Sequence, residues 1–408
     1  MLPVLRSRDF RLLWVSQSVS TVGDELVLVA MALFVTRLTH HASDVGLVLA
    51  AYAVPMTVFV LIGGVIADRL PRHAVMVASD LVRMVLHTVL AVLIATGVVR
   101  VWHIVAIGVA FVFSEAFFRP AFSGLVPQTV PEDEIQSAQA LVGISSEIAV
   151  FASPALATAL VLGVSAAAAF ALDAATFAVS AVLLSRVRGR PRGSEAASGT
   201  MLGELREGWQ AVKARPWVWA SISSYSFALL LGLAPFFVVG ATVAREVYGS
   251  EAVFGISNAA WGAGAVTAAV IGSKWRPRRP MLAGTLFAAP WGLCVVAYAS
   301  GPPVGVVYLL MALAGAGYGL FTVWWDTAMA ERIPPHLLSR VSAWDWMGTL
   351  ALLPLGYILA GPVAERVGAV HLLVVGGLLA VAISLLGLLP SSTRHLTRLD
   401  TPVRSFRE

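Results

Sequence analysis

Residues 64 to 73 read Gly-Val-Ile-Ala-Asp-Arg-Leu-Pro-Arg-His, a short charged turn between two apolar stretches. Each flanking stretch is long enough to cross a bilayer, since about 20 apolar residues in an α-helix span a hydrocarbon layer of roughly 30 Å. Asp68, Arg69 and Arg72 fall together in this turn, although charged residues make up only 12% of the chain. We therefore predict two membrane-spanning helices joined by a charged loop.

The rest of the chain repeats this alternation. Hydrophobic residues make up 58% of the 408 residues and the mean hydropathy is +0.83, whereas soluble domains carry about 25% charged residues. Only an α-helix satisfies its own backbone inside lipid without closing into a barrel. The sequence thus predicts an all-α integral membrane protein with twelve transmembrane helices. The predicted spans are 10–37, 43–66, 75–96, 102–122, 137–161, 165–186, 217–241, 252–273, 281–299, 304–329, 337–361 and 367–389.

The distribution of positive charge gives the orientation. With twelve spans both termini lie on one side, and the loops and tails of that side hold 22 of the 28 Lys and Arg residues. Cytoplasmic loops carry such an excess of positive charge. We therefore expect a multi-pass protein of the plasma (inner) membrane with both termini in the cytoplasm. The net charge of +5 then reflects membrane topology rather than nucleic-acid binding.

The chain divides into two halves around a long middle loop. Residues 187–215 begin with a polar, Gly-rich linker and continue as an amphipathic stretch, with Leu202, Leu205, Trp209 and Val212 at helical spacing. Short matches about 200 positions apart, such as Val130-Pro131 with Ile333-Pro334, indicate an internal repeat. We predict two pseudo-symmetric six-helix bundles, and the predicted regions are a first bundle at 1–186, the cytoplasmic linker at 187–215, a second bundle at 216–390 and a cytoplasmic tail at 391–408.

Three segments resemble the major facilitator superfamily, and within it the bacterial enterobactin-exporter-like and macrolide-efflux-like branch. They are the charged turn at 64–73, the stretch Phe117-Phe118-Arg119-Pro120-Ala121 with the following Pro131-Glu132-Asp133-Glu134-Ile135-Gln136, and Ser20-Thr21-Val22-Gly23-Asp24. The resemblance implies two bundles that expose a central site alternately to each side of the membrane. It also implies an inner gate built from the charged turn, with the gate residues Gly64, Asp68, Arg69, Arg72, Asp80 and Arg83.

Four acidic residues inside predicted spans are candidates for proton coupling, because ionisable groups at a helix centre cost roughly 2.5–3.5 kcal/mol and are usually functional. Asp24 in span one is the first choice, and its neighbour Glu25 is the fallback. Glu115 in span four is placed for an ion pair with Arg119 one turn later. Glu147 in span five has no charge one turn away in its own helix. For each residue a structural role in helix packing remains the alternative.

Candidates for lining a substrate cavity are Arg119, Asn258, Trp261 and Trp291. Arg119 would suit an anionic group, and the two indoles offer large flat surfaces for an apolar or aromatic compound. Tryptophan is also common at bilayer interfaces, which is the alternative for both.

The predicted function is secondary active transport, with proton-coupled export of a small amphipathic or hydrophobic organic compound across the bilayer. The expected partners are that compound, protons and lipid, with no obligate protein partner. Span five has Ser153-Pro154-Ala155-Leu156-Ala157-Thr158 where drug and proton antiporters usually carry Gly-Pro-x-x-Gly-Gly, so an importer or lipid transporter of the same fold remains the alternative.

A membrane receptor or enzyme has less support from the sequence. No catalytic cluster or nucleotide-binding loop is found in the sequence. The single cysteine, Cys294, makes a thiolate metal site implausible. We therefore expect no enzyme activity, no cofactor and no metal.

Overall fold

The computed structural model describes residues 2–67, 71–131, 134–187, 201–275 and 277–398. After a 3₁₀ turn at Leu2–Arg6, the helices are α1 Arg8–Thr39, α2 Ala42–Ala67, α3 Arg72–Ala95, α4 Val101–Thr129, α5 Ile135–Gly163, α6 Ala166–Leu184, α7 Met201–Lys213, α8 Pro216–Ala228, α9 Ala234–Tyr248, α10 Ala252–Lys274, α11 Pro280–Ala288, α12 Trp291–Ser300, α13 Val304–Arg332, α14 Pro335–Leu350, α15 Leu353–Val367, α16 Ala369–Leu386 and α17 Ser391–Arg394. Within these ranges every regular element is helical.

Eleven helical stretches among the described residues are long and apolar enough to cross a membrane. The remaining candidate is α2, which has 26 residues and an apolar first part, Ala42–Pro55. The helix count therefore agrees with the twelve predicted spans, and the all-α membrane class is confirmed. Two spans begin at hydroxyl caps: the Ser7 side chain accepts a hydrogen bond from the Phe10 amide at the start of α1, and Ser165 caps α6 in the same way.

Three of the predicted spans contain an interruption of the α-helix, a detail that the sequence analysis did not address. Span seven contains a π-helical segment, Leu229–Leu233, between α8 and α9. Span nine breaks between α11 and α12, and span eleven breaks between α14 and α15. A proline accompanies each interruption: Pro235, Pro290 and Pro354. Proline lacks an amide hydrogen and clashes with the carbonyl four residues earlier, so regular α-helical bonding is lost there.

Span seven also continues beyond its predicted end. The sequence analysis ended it at residue 241. In the structure α9 extends to Tyr248, with Arg245 in its last turn, and Gly249 closes it at a positive φ of 71°.

The helices form two compact units, one comprising Met1–Ser194 with Phe254–Ala259 and the other Glu195–Val253 with Ala260–Glu408. In the first unit α3 packs against α4 and α6, α1 packs against α5 and α6, and α2 packs against α4. The core near the start of α1 contains Phe10, Leu13 and Met76, all buried. Helix α3 thus lies against two neighbours through its middle, where the polar residues described below are found.

In the second unit α10 and α13 approach closely through glycines. A Cβ added at Gly315 would lie 1.8 Å from the Trp261 carbonyl oxygen, and one at Gly264 would lie 1.8 Å from the Ala312 carbonyl oxygen. Small residues at such positions allow membrane helices to pack backbone against backbone. This contact fixes Trp261 next to α13.

Helix α7 lies within the predicted linker. Its Glu207 accepts a hydrogen bond from Arg340 of α14, and its Trp209 ring lies 5.0 Å from the Trp344 ring. Val212 is buried in the core of the second unit. The side chains of Leu202 and Leu205 lie outside the described part of the chain.

Candidate functional site in the membrane-spanning helices

The first unit contains a cluster of charged side chains around Arg83 of α3. Arg83 Nη2 donates a hydrogen bond of 2.5 Å to Asp80 Oδ1, one turn earlier on the same helix. Arg83 Nη1 lies 3.5 Å from Asp24 Oδ2 of α1. The side chains of Arg83 and Asp80 are 1% and 0% exposed, whereas that of Asp24 is 24% exposed. One guanidinium therefore faces two carboxylates, of which Asp24 is the more accessible.

Aromatic rings hold the guanidinium in place. The Arg83 Cζ atom lies 4.4 Å from the ring centroids of both Phe118 of α4 and Phe177 of α6. A cation over an aromatic face gains electrostatic energy, about 2 kcal/mol where both groups are desolvated. These contacts compensate in part for moving the charge out of water, and they link α3 to both of its neighbours.

A second buried pair lies one turn further along α3. His87 Nδ1 hydrogen-bonds to Asp173 Oδ2 of α6, and both side chains are fully buried. The imidazole stacks on Phe111 with ring centroids 4.3 Å apart and planes 9° apart. Gly23 of α1 lies against this pair, because an added Cβ there would be 2.1 Å from Asp173 Oδ1. The pair therefore sits beside Asp24 at the contact of α1 with α6.

Asp24 lies further from Arg83 than Asp80 does, at 3.5 Å against 2.5 Å. Its Oδ1 atom, like Oδ2 of Asp80, is buried and has no hydrogen-bond partner among the described residues. An unsatisfied buried carboxylate oxygen is costly, and taking up a proton reduces this cost by removing the charge. Of the two carboxylates that face Arg83, Asp24 is thus the more exposed.

The other candidates for proton coupling are placed differently. Arg119 donates hydrogen bonds of 2.7–2.8 Å to Glu115 Oε1, so the i, i+4 pair is present in α4. Arg119 is 53% exposed and Glu115 is 17% exposed. Glu25 is partly buried next to Asp24. The side chain of Glu147 lies outside the described residues.

Of the six residues of the expected gate, the structure describes the surroundings of Arg72, Asp80 and Arg83. Arg72 Nη1 donates a hydrogen bond to the Gly124 carbonyl, which ties the start of α3 to α4. Asp80 and Arg83 lie in the cluster with Asp24. Asp68 and Arg69 lie outside the described residues, as does the environment of Gly64.

The second unit contains an aromatic pocket of about 170 Å³. Trp261 and Trp291 both line it, together with Tyr225, Tyr318 and Phe321. The Trp261 and Tyr318 rings are 5.0 Å apart, and the Tyr225 and Tyr318 rings stack at 6.3 Å. Two of these five aromatic residues, Trp261 and Trp291, were candidates from the sequence. Trp261 lies on α10, and Trp291 follows the break in span nine.

Asn258, another candidate for the cavity, is buried and donates to the Phe254 carbonyl of its own helix. The His87–Asp173 pair was not among the predicted site residues. The only sequence signal for it was that His87 shares a helix face with Asp80 and Arg83. Among the described residues no group of three or more His, Cys, Asp or Glu side chains is placed to hold a metal ion.

The eleven apolar helices among the described residues, together with the apolar first part of α2, identify a polytopic membrane protein. The sequence pattern of the Major Facilitator Superfamily matches residues 13–351. The chain therefore belongs to the Major Facilitator Superfamily, as the sequence resemblance implied.

Individual relatives cover nearly the whole chain. The MFS-type transporter YfiS of Bacillus subtilis (strain 168) is 27% identical, over 95% of this chain and 94% of its own. Macrolide efflux protein A of Streptococcus pyogenes is 20% identical, over 92% and 94%. The crystal structure of nucleoside transporter NupG is similar with a TM-score of 0.71 and 14% identity, covering 93% of this chain and 98% of that one. The last comparison bears on the fold alone.

Proposed function

We propose that this protein is a secondary active transporter that exports a small amphipathic or hydrophobic organic compound in exchange for protons, by alternating access. The observation that carries the proposal is the shared guanidinium of Arg83, which faces both Asp80 and Asp24. When both carboxylates are ionised, the group carries an excess negative charge in a medium of low dielectric constant. A proton bound at Asp24 removes that excess.

The structural consequence of proton binding follows from the helices involved. Asp24 is on α1 and Arg83 is on α3, so neutralising Asp24 weakens the ion pair between these helices while the Arg83–Asp80 pair within α3 persists. A conformational equilibrium shifts when a ligand binds one state better than the other. Protonation of Asp24 therefore favours the state in which α1 and α3 no longer share this contact. Glu25, Glu115 and Glu147 remain further candidates for carrying protons.

Export is favoured by the relatives. Macrolide efflux protein A is named for efflux and matches this chain almost end to end. The multidrug efflux pump Tap of Mycolicibacterium fortuitum is 33% identical over 98 residues, about a quarter of each chain. Trp261 and Trp291, which line one pocket of the second unit, would contact the apolar part of the compound. Import by the same fold is the alternative that the transport assay below decides.

We further propose a plasma-membrane location with both termini in the cytoplasm, bundles at 1–186 and 216–390, and an inner gate at the charged turn. The excess of Lys and Arg on one side supports the orientation. The hydrogen bond from Arg72 to Gly124 supports a bracing role for the turn, because it fixes the start of α3 on α4.

The test uses everted membrane vesicles energised to an acidic interior. We expect addition of 2-naphthol to release protons in wild type and 2-naphthol to accumulate inside. Asp24→Asn should abolish proton release, and the control Asp44→Asn, at the start of α2, should retain it. Equal proton release from wild type and Asp24→Asn would contradict the role of Asp24. Accumulation in right-side-out vesicles, but not in everted ones, would establish import.

A further inference from the structure

The aromatic pocket of the second unit lies where two helix interruptions meet. Leu229 and Leu233 line it from the π-helical segment of span seven. Ala288, Ala289 and Trp291 line it from the break in span nine. Interrupted helices of this kind are frequent at functional sites and rarely occur without a local cause. Here the two interruptions together create the space that the pocket occupies.

Close packing of a glycine positions the indole that forms one wall. A Cβ added at Gly232 would lie 2.6 Å from the Trp291 ring, so the ring rests directly on the π-helical backbone. On the other side of Trp291, Gly292 is close to Gly377 of α16, with an added Cβ 2.3 Å from the Gly377 carbonyl oxygen. Trp291 is therefore fixed by its surroundings, and the pocket beside it does not arise from a loosely packed side chain.

The pocket lining excludes charge. None of its sixteen residues is Asp, Glu, Lys, Arg or His. The Ser221 and Ser224 hydroxyls donate to carbonyls of their own helix at 2.8 and 3.1 Å, and the Tyr225 and Tyr318 hydroxyls are hydrogen-bonded to each other. A charged group would lose its hydration here and find no counter-charge, which costs several kcal/mol. An uncharged ring would pack against the indole and phenol faces instead.

The volume limits the size of the group that fits. An apolar cavity of about 150 Å³ in another protein accepts benzene, and this pocket measures about 170 Å³. The space thus suits one ring or two fused rings, with a single polar substituent directed at the hydroxyls of Thr285 or Ser384 on the lining.

We infer that this pocket, within the second unit, is a binding site for an uncharged planar aromatic group of one or two rings. The inference rests on the proposed function, which it deepens by naming the part of the substrate that is recognised. It also separates the two tasks: the first unit carries the proton-binding charges, and the second unit recognises the ring.

The test measures binding of radiolabelled 2-naphthol to the purified full-length protein in detergent, by scintillation proximity, at neutral pH. We expect saturable binding to wild type. The charged counterpart 2-naphthoate should compete at least tenfold more weakly. Ala288→Phe fills the pocket and should weaken 2-naphthol binding at least tenfold. Ala263→Phe, an equal enlargement at an exposed site of α10 outside the pocket, should leave binding unchanged.

Several results would overturn the inference: no saturable binding to wild type, equal competition by 2-naphthoate, unchanged binding to Ala288→Phe, or equal loss in both phenylalanine variants. If Ala288→Phe does not give a cooperative melting transition, Trp291→Ala replaces it, with exposed Trp219→Ala as its control and the same expectation for binding. Binding in detergent needs no proton gradient. The inference about the pocket is therefore contradicted when these variants do not affect binding, whereas the proposed function is contradicted when the vesicle assay shows no proton exchange.

Discussion

Replacing Arg83 by methionine tests whether the charge cluster is a structural unit of the membrane-spanning helices. Methionine keeps an unbranched apolar stem between Phe118 and Phe177 but removes the guanidinium. Asp80, which is fully buried, and Asp24, whose Oδ1 is buried, would then be left without the cation that they share. The change therefore isolates the electrostatic contribution of Arg83 from its packing.

The magnitude follows from burial. Removing one partner of a buried ion pair costs about 3–5 kcal/mol, because the remaining charge is left uncompensated. Loss of the contacts with the two phenylalanine rings adds about 0.5–2 kcal/mol, part of which the methionine stem recovers. We expect Arg83→Met to lower the free energy of unfolding by about 3–5 kcal/mol at neutral pH. The loss should shrink as the pH falls, since protonation removes the carboxylate charges.

The assay is reversible unfolding by SDS in mixed micelles, followed by tryptophan fluorescence. A double variant, Arg83→Met with Asp80→Asn, should recover about 2 kcal/mol relative to the sum of the single changes, because the two groups contact each other. The control is Arg119→Met, which removes a half-exposed arginine from an i, i+4 pair and should cost about 1 kcal/mol or less. Equal effects of Arg83→Met and Arg119→Met, or additivity in the double variant, would refute the reasoning.

Three further predictions follow from other parts of the structure. Gly315→Ala should lower the free energy of unfolding by about 1–3 kcal/mol, because the added Cβ would overlap the Trp261 carbonyl. The control Gly305→Ala, which has open space around it, should leave the free energy of unfolding unchanged. Thermal melting in detergent compares the two variants. Gly208→Leu should detach α7 from α14, because the side chain would overlap Trp344, and should increase hydrogen exchange in Met201–Lys213, while exposed Gln210→Leu should not. In a Cys294→Ala background, a membrane-impermeant thiol reagent should label His41→Cys in intact cells and Ser391→Cys only after permeabilisation, and the opposite pattern would reverse the proposed orientation.

The fold class could be predicted because it depends on composition and segment length. An apolar block of about 20 residues bounded by charged residues forms a membrane-spanning α-helix, because the helix satisfies its own backbone hydrogen bonds in lipid whichever apolar side chains it carries. The Glu115–Arg119 pair was predictable for a similar reason, since residues four apart share a helix face and need no knowledge of neighbouring helices.

The contacts between helices could not be predicted in this way. Asp173 lies 86 positions from His87, and Asp24 lies in a different helix from Arg83. Which faces meet depends on the rotation and pairing of helices, and apolar spans carry little periodicity that would report it. The sequence analysis therefore did not foresee that Arg83 lies beside Asp24, the first candidate for proton binding.

The helix interruptions show a second limit. Pro235, Pro290 and Pro354 accompany interruptions, yet Pro55, Pro154 and Pro362 lie inside continuous helices. Proline removes one hydrogen bond everywhere, but membrane helices satisfy the freed carbonyl through neighbours or local adjustment. Whether a break results depends on what packs against that turn. The pocket formed at two of these interruptions was accordingly outside the reach of the sequence.

The two candidate sites differ in chemistry in a way that constrains coupling. Among the described residues, the charge cluster belongs to the first unit and the uncharged pocket to the second, so under the two proposals the proton and the ring bind different side chains. Coupling then requires a shared conformational equilibrium, in which each ligand acts only through its different affinity for the two states. Linkage makes the effect reciprocal: the factor by which a proton at Asp24 changes the affinity of the pocket equals the factor by which the ring changes proton affinity. Typical coupling energies of about 1–3 kcal/mol do not exceed the roughly 3–5 kcal/mol that breaking a buried ion pair costs. In the proposed exchange the Asp24–Arg83 contact is therefore large enough to carry the coupling, while the proton gradient supplies the energy for transport.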